Sequence, residues 1–399
     1  MPMDLVILAG GRGKRISKFT KKIPKPLIKV NNIEFIQYLI NFYSKYNFRK
    51  IFILTGYKGE KFGKFNKKYF NLIETVCIRE KNKLGTAGAI LQIRNKIKEN
   101  FILINGDSFI NYDATRFIRK KLPKKIISKI LLVKNINYKS NNKLAKVKIN
   151  KDKSVVNNGK LMNAGIYFFN KKIFKYLKSK KKSLENEVFP DLLKKKLVQG
   201  IYSNKKLLDI GTYANLNKAK NFLKKNTNSY SVFLDRDGVI NFDKKYVHKI
   251  KDFVFRKNVI QALKFLNYKR INVFIVTNQA GIAKALYSED DFFKLSRQIK
   301  ILLDRKNIYI NDLEFCPFHP KAIIKKYKKK SSYRKPGNLM IEKIKKRWGV
   351  IPNKSYMIGD KISDYKAAKK SGIYYEYVEK DILKQVIRIN KKLGFSNYS

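Results

Sequence analysis

The sequence predicts an α/β protein of two domains, each built on a mostly parallel sheet. Three observations carry that reading. Short apolar runs alternate with amphipathic stretches along the whole chain. The alternation restarts after a polar run, Lys224-Lys-Asn-Thr-Asn-Ser229, which reads as a short linker. The chain has 399 residues, and roughly 100–200 residues per domain makes that two domains. The expected boundaries are 1–225 and 230–385. Strands separated by helices argue for parallel pairing, which places ligands at the carboxyl ends of the strands.

In the first half, Leu5–Ala9 is a buried-strand run followed by a glycine-rich loop and an amphipathic helix over about Ile33–Tyr46. Further strands read at Lys50–Thr55, Phe101–Asn105, Ile130–Val133, Ala145–Ile149 and Ala164–Phe169. Helices read near Thr86–Lys98 and Glu185–Lys195, and Tyr213–Lys224 closes the half. The second half restarts with a strand at Ser231–Leu234, a helix near Val259–Asn267, a strand at Val273–Thr277 and a long helix from Glu289 to Arg305. A loop-rich stretch, Cys316–Pro336, then precedes a helix to Trp348, a strand at Tyr356–Ile358, a helix at Ile362–Ser371 and a strand near Tyr374–Val378.

The chain carries 91 Lys+Arg against 29 Asp+Glu, a formal net charge of +62. Such a charge raises non-specific affinity for nucleic acid, anionic membranes and phosphorylated small molecules. The lysines are scattered through every segment, and runs such as Lys180–Lys182, Lys194–Lys196 and Lys328–Lys330 read as solvated helix ends or loops. No nucleic-acid motif with interleaved aromatics accompanies them, so only non-specific nucleic-acid contact is expected. Two cysteines, Cys77 and Cys316, exclude a disulfide framework and point to a reducing, cytoplasmic setting. No apolar run reaches the roughly 18–20 residues of a membrane span. Leu5–Ala9 is too short for a signal peptide, and no membrane partner is expected.

Leu8-Ala-Gly-Gly-Arg-Gly-Lys-Arg15 follows the first strand directly, and Pro24-Lys-Pro26 closes the same loop. Gly10, Gly11 and Gly13 let backbone N–H groups approach an anion, while Arg15 and Lys25 supply charge to a polyphosphate. Alone, such a loop is as often a tight turn. Its companions are Leu84-Gly-Thr-Ala-Gly-Ala89, Asn105-Gly-Asp107, Asn163-Ala-Gly-Ile-Tyr167 and Asp209-Ile-Gly-Thr212. Together, over residues 3–224, they resemble the sugar-1-phosphate nucleotidyltransferases. That resemblance implies a Rossmann-like domain with a mixed, mostly parallel sheet. It also implies Mg²⁺-dependent attack of a sugar 1-phosphate on the α-phosphorus of a nucleoside triphosphate. Asp107 and Asp209 would hold the metal, and Arg15 and Lys25 would neutralise phosphate charge. Gly85, Thr86, Gly88 and Asn163 would line the nucleotide and sugar pockets. Glu185 would contact sugar hydroxyls, or else is a solvated carboxylate at a helix start. Val155–Lys160 lacks the Phe-x-Glu-Lys segment of many relatives, leaving Lys146 or Lys160 as substitutes for its lysine.

Phe233-Leu-Asp-Arg-Asp-Gly-Val239 is the sharpest motif. Two aspartates two apart after a strand project into one site, where one can attack phosphorus and the other move a proton. Val276-Thr-Asn-Gln-Ala-Gly-Ile282, Tyr333-Arg-Lys-Pro336 and Ile358-Gly-Asp-Lys-Ile-Ser-Asp364 follow. Over residues 230–380 these resemble the four motifs of haloacid-dehalogenase-superfamily phosphatases. Asp-Arg-Asp-Gly-Val, Thr-Asn-Gln and Arg-Lys-Pro look like the heptose-bisphosphate and histidinol-phosphate branch, a Rossmannoid fold without a large cap. The resemblance implies Asp235 as nucleophile, Asp237 as general acid/base, and Thr277 and Lys335 holding the phosphoryl oxygens. Asp235, Asp360 and the Asp237 carbonyl would ligate Mg²⁺, Asp364 would position that shell, and Asn278 and Arg334 would contact substrate. That branch often carries a zinc loop of Cys-x-His and Cys-x-Cys. Here it reads Cys316-Pro-Phe-His319 and then Ser331-Ser-Tyr333, so zinc is not expected and His319 reads as a satisfied loop histidine.

The pairing implies a heptose 1,7-bisphosphate 7-phosphatase joined to a heptose-1-phosphate guanylyltransferase, with sugar phosphates and a nucleoside triphosphate, GTP favoured, as partners. Activation of mannose or glucose 1-phosphate beside a histidinol-phosphate or other sugar-phosphate phosphatase stays open. So does a basic nucleic-acid-binding protein with a polynucleotide phosphatase half.

Overall fold

A computed structural model describes residues 3–118, 122–135, 144–177, 183–227 and 230–395. The Lys180–Lys182 run and the last two linker residues, Asn228 and Ser229, lie outside the described residues. The fold is α/β, as predicted, with two large sheets that divide the chain at the linker.

The first sheet has ten strands. Its parallel centre is Ile73–Arg79, Lys50–Thr55, Asp4–Ala9 and Phe101–Asn105, in that spatial order. Leu161–Phe169 then adds antiparallel to Phe101–Asn105 and leads outward to Ser128–Lys134 and Val198–Ser203. The central strands are apolar on both faces because both faces are covered. Leu5, Ile7, Ile51, Ile53, Ile102 and Ile104 enter one core, while Val6, Phe52, Leu54, Phe101 and Leu103 alternate into the other. The helix Phe35–Ser44 buries its apolar stripe in the first of these cores.

The second sheet has five strands, all parallel, ordered Asp312–Cys316, Asn272–Asn278, Ser231–Leu234, Ser355–Gly359 and Tyr374–Tyr377. The same alternation holds. Val232, Leu234, Val273, Ile275 and Ile358 face one core, and Phe233, Phe274, Val276 and Met357 face the other. The helices Val259–Tyr268, Glu289–Arg305, Leu339–Trp348 and Ile362–Lys370 fall within a residue or so of expectation. The long one starts at a capping box in which Ser288 and Asp291 satisfy each other's backbone N–H groups.

Some elements differ from the sequence reading. The helix expected over Thr86–Lys98 is regular only at Gly85–Leu91. Beyond it, Gln92, Ile93, Arg94 and Lys96 donate to carbonyls three residues back, so the chain tightens into turns. The strand expected at Ala145–Ile149 covers Val147–Ile149. The closing helix runs on to Asn226, two residues past its expected end at Lys224 and into the expected linker. The strands Ile73–Arg79, Val198–Ser203 and Asp312–Cys316 and the helix Ile382–Lys392 were not anticipated.

The two halves are joined by direct hydrogen bonds. Asn71 donates its backbone N–H to Asp312 Oδ1 (3.1 Å) and its amide to the Ile310 carbonyl (2.6 Å). The Lys300 ammonium, buried at 9% exposure, donates to the carbonyls of Ser44 and Asn71. Arg347 pairs with Asp312 and Glu314, and its carbonyl accepts from Asn41. Among the described residues no helix is long and apolar enough to cross a membrane.

Candidate active sites

The parallel strands of the first sheet end along one rim, and the turns that follow them line a cleft of about 640 Å³. Gly10, Gly11, Gly13, Lys25, Gly85, Thr86, Asp107 and Glu185 all face it. Asp107 follows the strand Phe101–Asn105. Asp209 is far away in sequence and arrives through a small antiparallel pair, Ser108–Ile110 with Leu207–Asp209, in which it sits opposite Ser108. The Lys25 ammonium lies between the two carboxylates, 2.5 Å from Asp107 Oδ2 and 3.2 Å from Asp209 Oδ1. Burial pushes the Asp107 carboxyl up, but the Lys25 ammonium more than offsets this and holds it below its ordinary value. Lys25 is pulled down by burial and lifted further by the two carboxylates, so it stays charged. Arg15 reaches the same point. A Cβ placed on Gly211 would meet Lys25 Nζ at 2.8 Å, with Arg15 Nη2 and Asp209 Oδ1 both at 2.9 Å. Charge of both signs thus converges on one end of the cleft.

The other residues form a chain along the wall. Thr86 Oγ1 donates to Glu185 Oε2 (3.1 Å), and Tyr167 OH donates to Glu185 Oε1 (3.0 Å). Asn163 donates in turn to Tyr167 OH, at a β-bulge between Asn163 and Tyr167. Asn163 therefore reaches the cleft through Tyr167 and Glu185, and Glu185 is tied into the wall rather than solvated. Gly88 is buried inside its helix, and the helix presents Gly85, Thr86 and Ala89 to the cleft. Lys146 is exposed, and Lys160 lines a separate shallow hollow. Tyr57, Arg79, Glu80, Lys81 and Lys83 line the cleft without having been singled out, beside Asn105 of the Asn105-Gly-Asp107 motif. The signal for them is positional. Each lies at or just past the carboxyl end of a parallel strand, but the strand Ile73–Arg79 had first to be recognised.

In the second sheet the central strand Ser231–Leu234 delivers Asp235, which is 6% exposed, to the carboxyl edge. Lys335 Nζ lies 2.9 Å from Asp235 Oδ1 and 2.6 Å from Asp364 Oδ1, and donates to the Val276 carbonyl. Asn278 holds the Lys335 backbone from both sides, its amide donating to the carbonyl and its Oδ1 accepting from the N–H, each at 3.0 Å. Burial raises the Asp235 carboxyl to about 7; Lys335 opposes this, while Asp364 and Asp237 push it further up. Lys335 is depressed by burial but raised overall by Asp235 and Asp364. The Asp237 carboxylate takes a two-pronged contact from Arg236, whose side chain is itself 2% exposed, and accepts from Asn241 and Gln279. Gln279 also donates to Thr277 Oγ1 (2.8 Å). Gly238 has a left-handed backbone (φ 89°), and a side chain there would strike Asp360.

Among the described residues, the group of metal-capable side chains is Asp235, Asp360 and Asp364, with carboxylate oxygens within 4.8 Å of one another. Asp360 Oδ1 is buried without a hydrogen-bond partner. Burial and Asp364 raise the Asp360 carboxyl against the pull of Lys361. Clustered hard oxygens with an orphaned acceptor fit a small divalent cation such as Mg²⁺. In the first site Lys25 already shows that positive charge fits between Asp107 and Asp209. Arg334 donates to the Phe318 carbonyl at 3.5 Å. His319 Nδ1 accepts from the Lys321 N–H, and the Lys329 ammonium sits 3.8 Å over the Phe318 ring.

The Nucleotidyl transferase family profile matches residues 5–226, and the HAD-hydrolase-like profile matches residues 332–383. D-glycero-beta-D-manno-heptose-1,7-bisphosphate 7-phosphatase of Rhodopseudomonas palustris is 37% identical over 171 residues, 42% of this chain and 95% of that protein. D-glycero-alpha-D-manno-heptose-1,7-bisphosphate 7-phosphatase of Burkholderia mallei is 42% identical over 146 residues, 36% of this chain and 76% of that protein. Among solved structures, HddC from Yersinia pseudotuberculosis aligns at 26% identity and a TM-score of 0.46, covering 55% of this chain and 99% of that one.

Proposed function

Since the chain belongs to the nucleotidyl transferase family over its first half and to the HAD-like heptose-bisphosphate phosphatases over its second, we propose that it makes a nucleotide-activated heptose in two steps. The second half removes the 7-phosphate of D-glycero-D-manno-heptose 1,7-bisphosphate. The first half then transfers guanylate from GTP to the heptose 1-phosphate. The observation that carries this reading is the match of the second half to heptose-1,7-bisphosphate 7-phosphatases beside a nucleotidyl transferase half. Both chemistries act on phosphorylated sugars, and the product of one is a substrate of the other. Both steps fit the cytoplasm, where nucleoside triphosphates are available.

In the phosphatase centre the Asp235 carboxylate attacks phosphorus, and Asp237 gives its proton to the departing sugar oxygen. Thr277 and Lys335 hold the phosphoryl oxygens, and Asp237 then takes a proton from the water that hydrolyses the phospho-aspartate. Mg²⁺ held by Asp235, Asp360 and the Asp237 carbonyl, with Asp364 positioning this shell, would neutralise charge on the phosphate. In the nucleotidyl centre an oxygen of the sugar 1-phosphate displaces pyrophosphate from the α-phosphorus. Arg15, Lys25 and the glycine-loop N–H groups spread the charge there, and such transfer depends mainly on positioning and charge neutralisation. A metal at Asp107 and Asp209 would add to that neutralisation.

The test is a matrix of nucleoside triphosphates against sugar phosphates and bisphosphates, with phosphate and pyrophosphate followed separately. GTP with heptose 1-phosphate should give the fastest pyrophosphate release, and the heptose bisphosphate the fastest phosphate release. A preference for histidinol phosphate overturns the heptose assignment.

A further inference from the structure

We propose that Tyr287 is a positioning residue of the phosphatase centre, acting through the Gln279 amide on Asp237 and Thr277. This rests on the roles given above to Asp237 and Thr277. Tyr287 is 7% exposed, belongs to none of the four motifs and makes its hydrogen bond to an amide rather than to any of the carboxylates. Its hydroxyl donates to Gln279 Oε1 at 2.6 Å. Gln279, 2% exposed, uses its NH₂ group for Asp237 Oδ2 (3.0 Å) and Thr277 Oγ1 (2.8 Å).

An amide side chain is nearly symmetric in shape and opposite in function at its two ends. Turned over, Gln279 would present its carbonyl oxygen to the Asp237 carboxylate and repel it. The Tyr287 hydroxyl can donate or accept, so the acceptor-only Asp237 carboxylate sets which end of the amide faces it, and the Tyr287 O–H, donating to the opposite end, anchors the amide in that place. A second consequence falls on Thr277. Its oxygen accepts from Gln279, so its single O–H remains free to donate to a phosphoryl oxygen. Asp237 is fixed from its other sides by Arg236 and Asn241, and Gln279 completes the set.

The surroundings are built around this ring. Gly281 leaves the space that the ring fills, since a Cβ there would collide with Tyr287 Cε1. The imidazole of His248 stacks on the same ring, with centroids 5.0 Å apart and planes 10° apart. The ring therefore has one place to lie, and its hydroxyl has one partner.

The test compares two substrates in the full-length protein. Sugar phosphates leave as alkoxides and need the proton of Asp237, whereas p-nitrophenyl phosphate has a leaving group that is stable as an anion. Tyr287→Phe should lower kcat on the sugar phosphate about tenfold, a fraction of a general-acid contribution of roughly 10²–10⁴. It should lower kcat on p-nitrophenyl phosphate less than threefold and leave KM within twofold on both. Adding Tyr287→Phe to Gln279→Ala should cost nothing further, because the two act as one unit. Pyrophosphate release by the nucleotidyl half reports that each variant is folded. Equal losses on the two substrates, or additive losses in the double variant, overturn the proposal. Asp237→Asn separates it from the reading beneath it. Full sugar-phosphate turnover by Asp237→Asn removes the acid/base role itself, whereas an inactive Asp237→Asn beside a fully active Tyr287→Phe overturns only the role of Tyr287.

Discussion

The two centres of this chain are assembled in opposite ways. In the phosphatase centre Asp235, Lys335, Asp360 and Asp364 are packed into one cluster, with Asp235 and Asp360 directly after neighbouring parallel strands, Asp364 in the helix that follows and Lys335 in the loop-rich stretch beyond Asp312–Cys316. In the nucleotidyl centre Asp107 follows a strand of the large sheet while Asp209 ends a strand of a separate small antiparallel pair, and Lys25 bridges them at the end of an open cleft. The difference matches the size of what each must hold. A phosphoryl group is small and can be enclosed by strand ends, whereas a nucleotide beside a sugar phosphate needs a long cleft with walls from many loops.

The largest expected effect separates the two. Asp235→Asn should lower phosphate release by about 10³-fold or more, as loss of a nucleophile does, with pyrophosphate formation within a few-fold of the parent. Asp107→Ala should do the reverse. Either change silencing both activities in a folded protein breaks the comparison. Next in size is Lys25→Met, which leaves Asp107 and Asp209 facing each other without their cation. Nucleotidyl transfer should fall about 10²-fold, the scale of losing one charge-stabilising group, while phosphate release is unchanged. An unaffected pyrophosphate rate contradicts the role given to Lys25.

The metal requirement sharpens the contrast further. Metal-stripped protein should recover both activities on Mg²⁺ alone, with Asp364→Asn weakening recovery only in the phosphatase. Elemental analysis should find no tightly bound zinc, since Phe318, Ser331 and Tyr333 stand where ligands would be needed. Near-stoichiometric zinc overturns that reading.

The phosphatase centre was the more legible of the two in the sequence, for a physical reason. Asp235 and Asp237, or Asp360 and Asp364, are close in sequence, follow apolar strand runs and need only those strands to be parallel neighbours. Asp107 was legible on the same ground. Asp209 was visible only as part of a resemblance, because its placement depends on Leu207–Asp209 pairing with Ser108–Ile110, strands too short to read from periodicity. Glu80 and its basic neighbours escaped because Ile73–Arg79 is half-exposed along much of its length and does not show a clean apolar run. Asp312–Cys316 escaped for another reason. Its acidic residues look solvated until Arg347 is seen to pair with Asp312 and Glu314. Gln279 stood within a quoted motif, yet nothing local indicates that its amide serves both Asp237 and Thr277.

The smallest effect concerns the contact between the halves. Burial lowers the Lys300 ammonium from 10.5 to about 7, with Asp312 and Asp304 opposing. A base depressed on folding leaves the folded state with fewer bound protons between these values, so stability rises with pH across the window from about 7 to 10.5. Lys300→Met removes that contribution. The melting temperature of wild type relative to the variant should therefore rise by a few degrees between pH 7 and pH 9.5. A constant difference contradicts the account of the interface.

The central claim is that the two centres act in sequence on one sugar. The direct measurement is to supply heptose 1,7-bisphosphate, GTP and Mg²⁺ and to follow phosphate, pyrophosphate and nucleotide-heptose together. Wild type should release phosphate first and then form nucleotide-heptose with matching pyrophosphate. Asp235→Asn should form none until heptose 1-phosphate is added, whereupon it should match wild type. Rapid nucleotide-sugar formation by Asp235→Asn directly from the bisphosphate would contradict the order, and failure of wild type to consume the heptose 1-phosphate it releases would contradict the coupling.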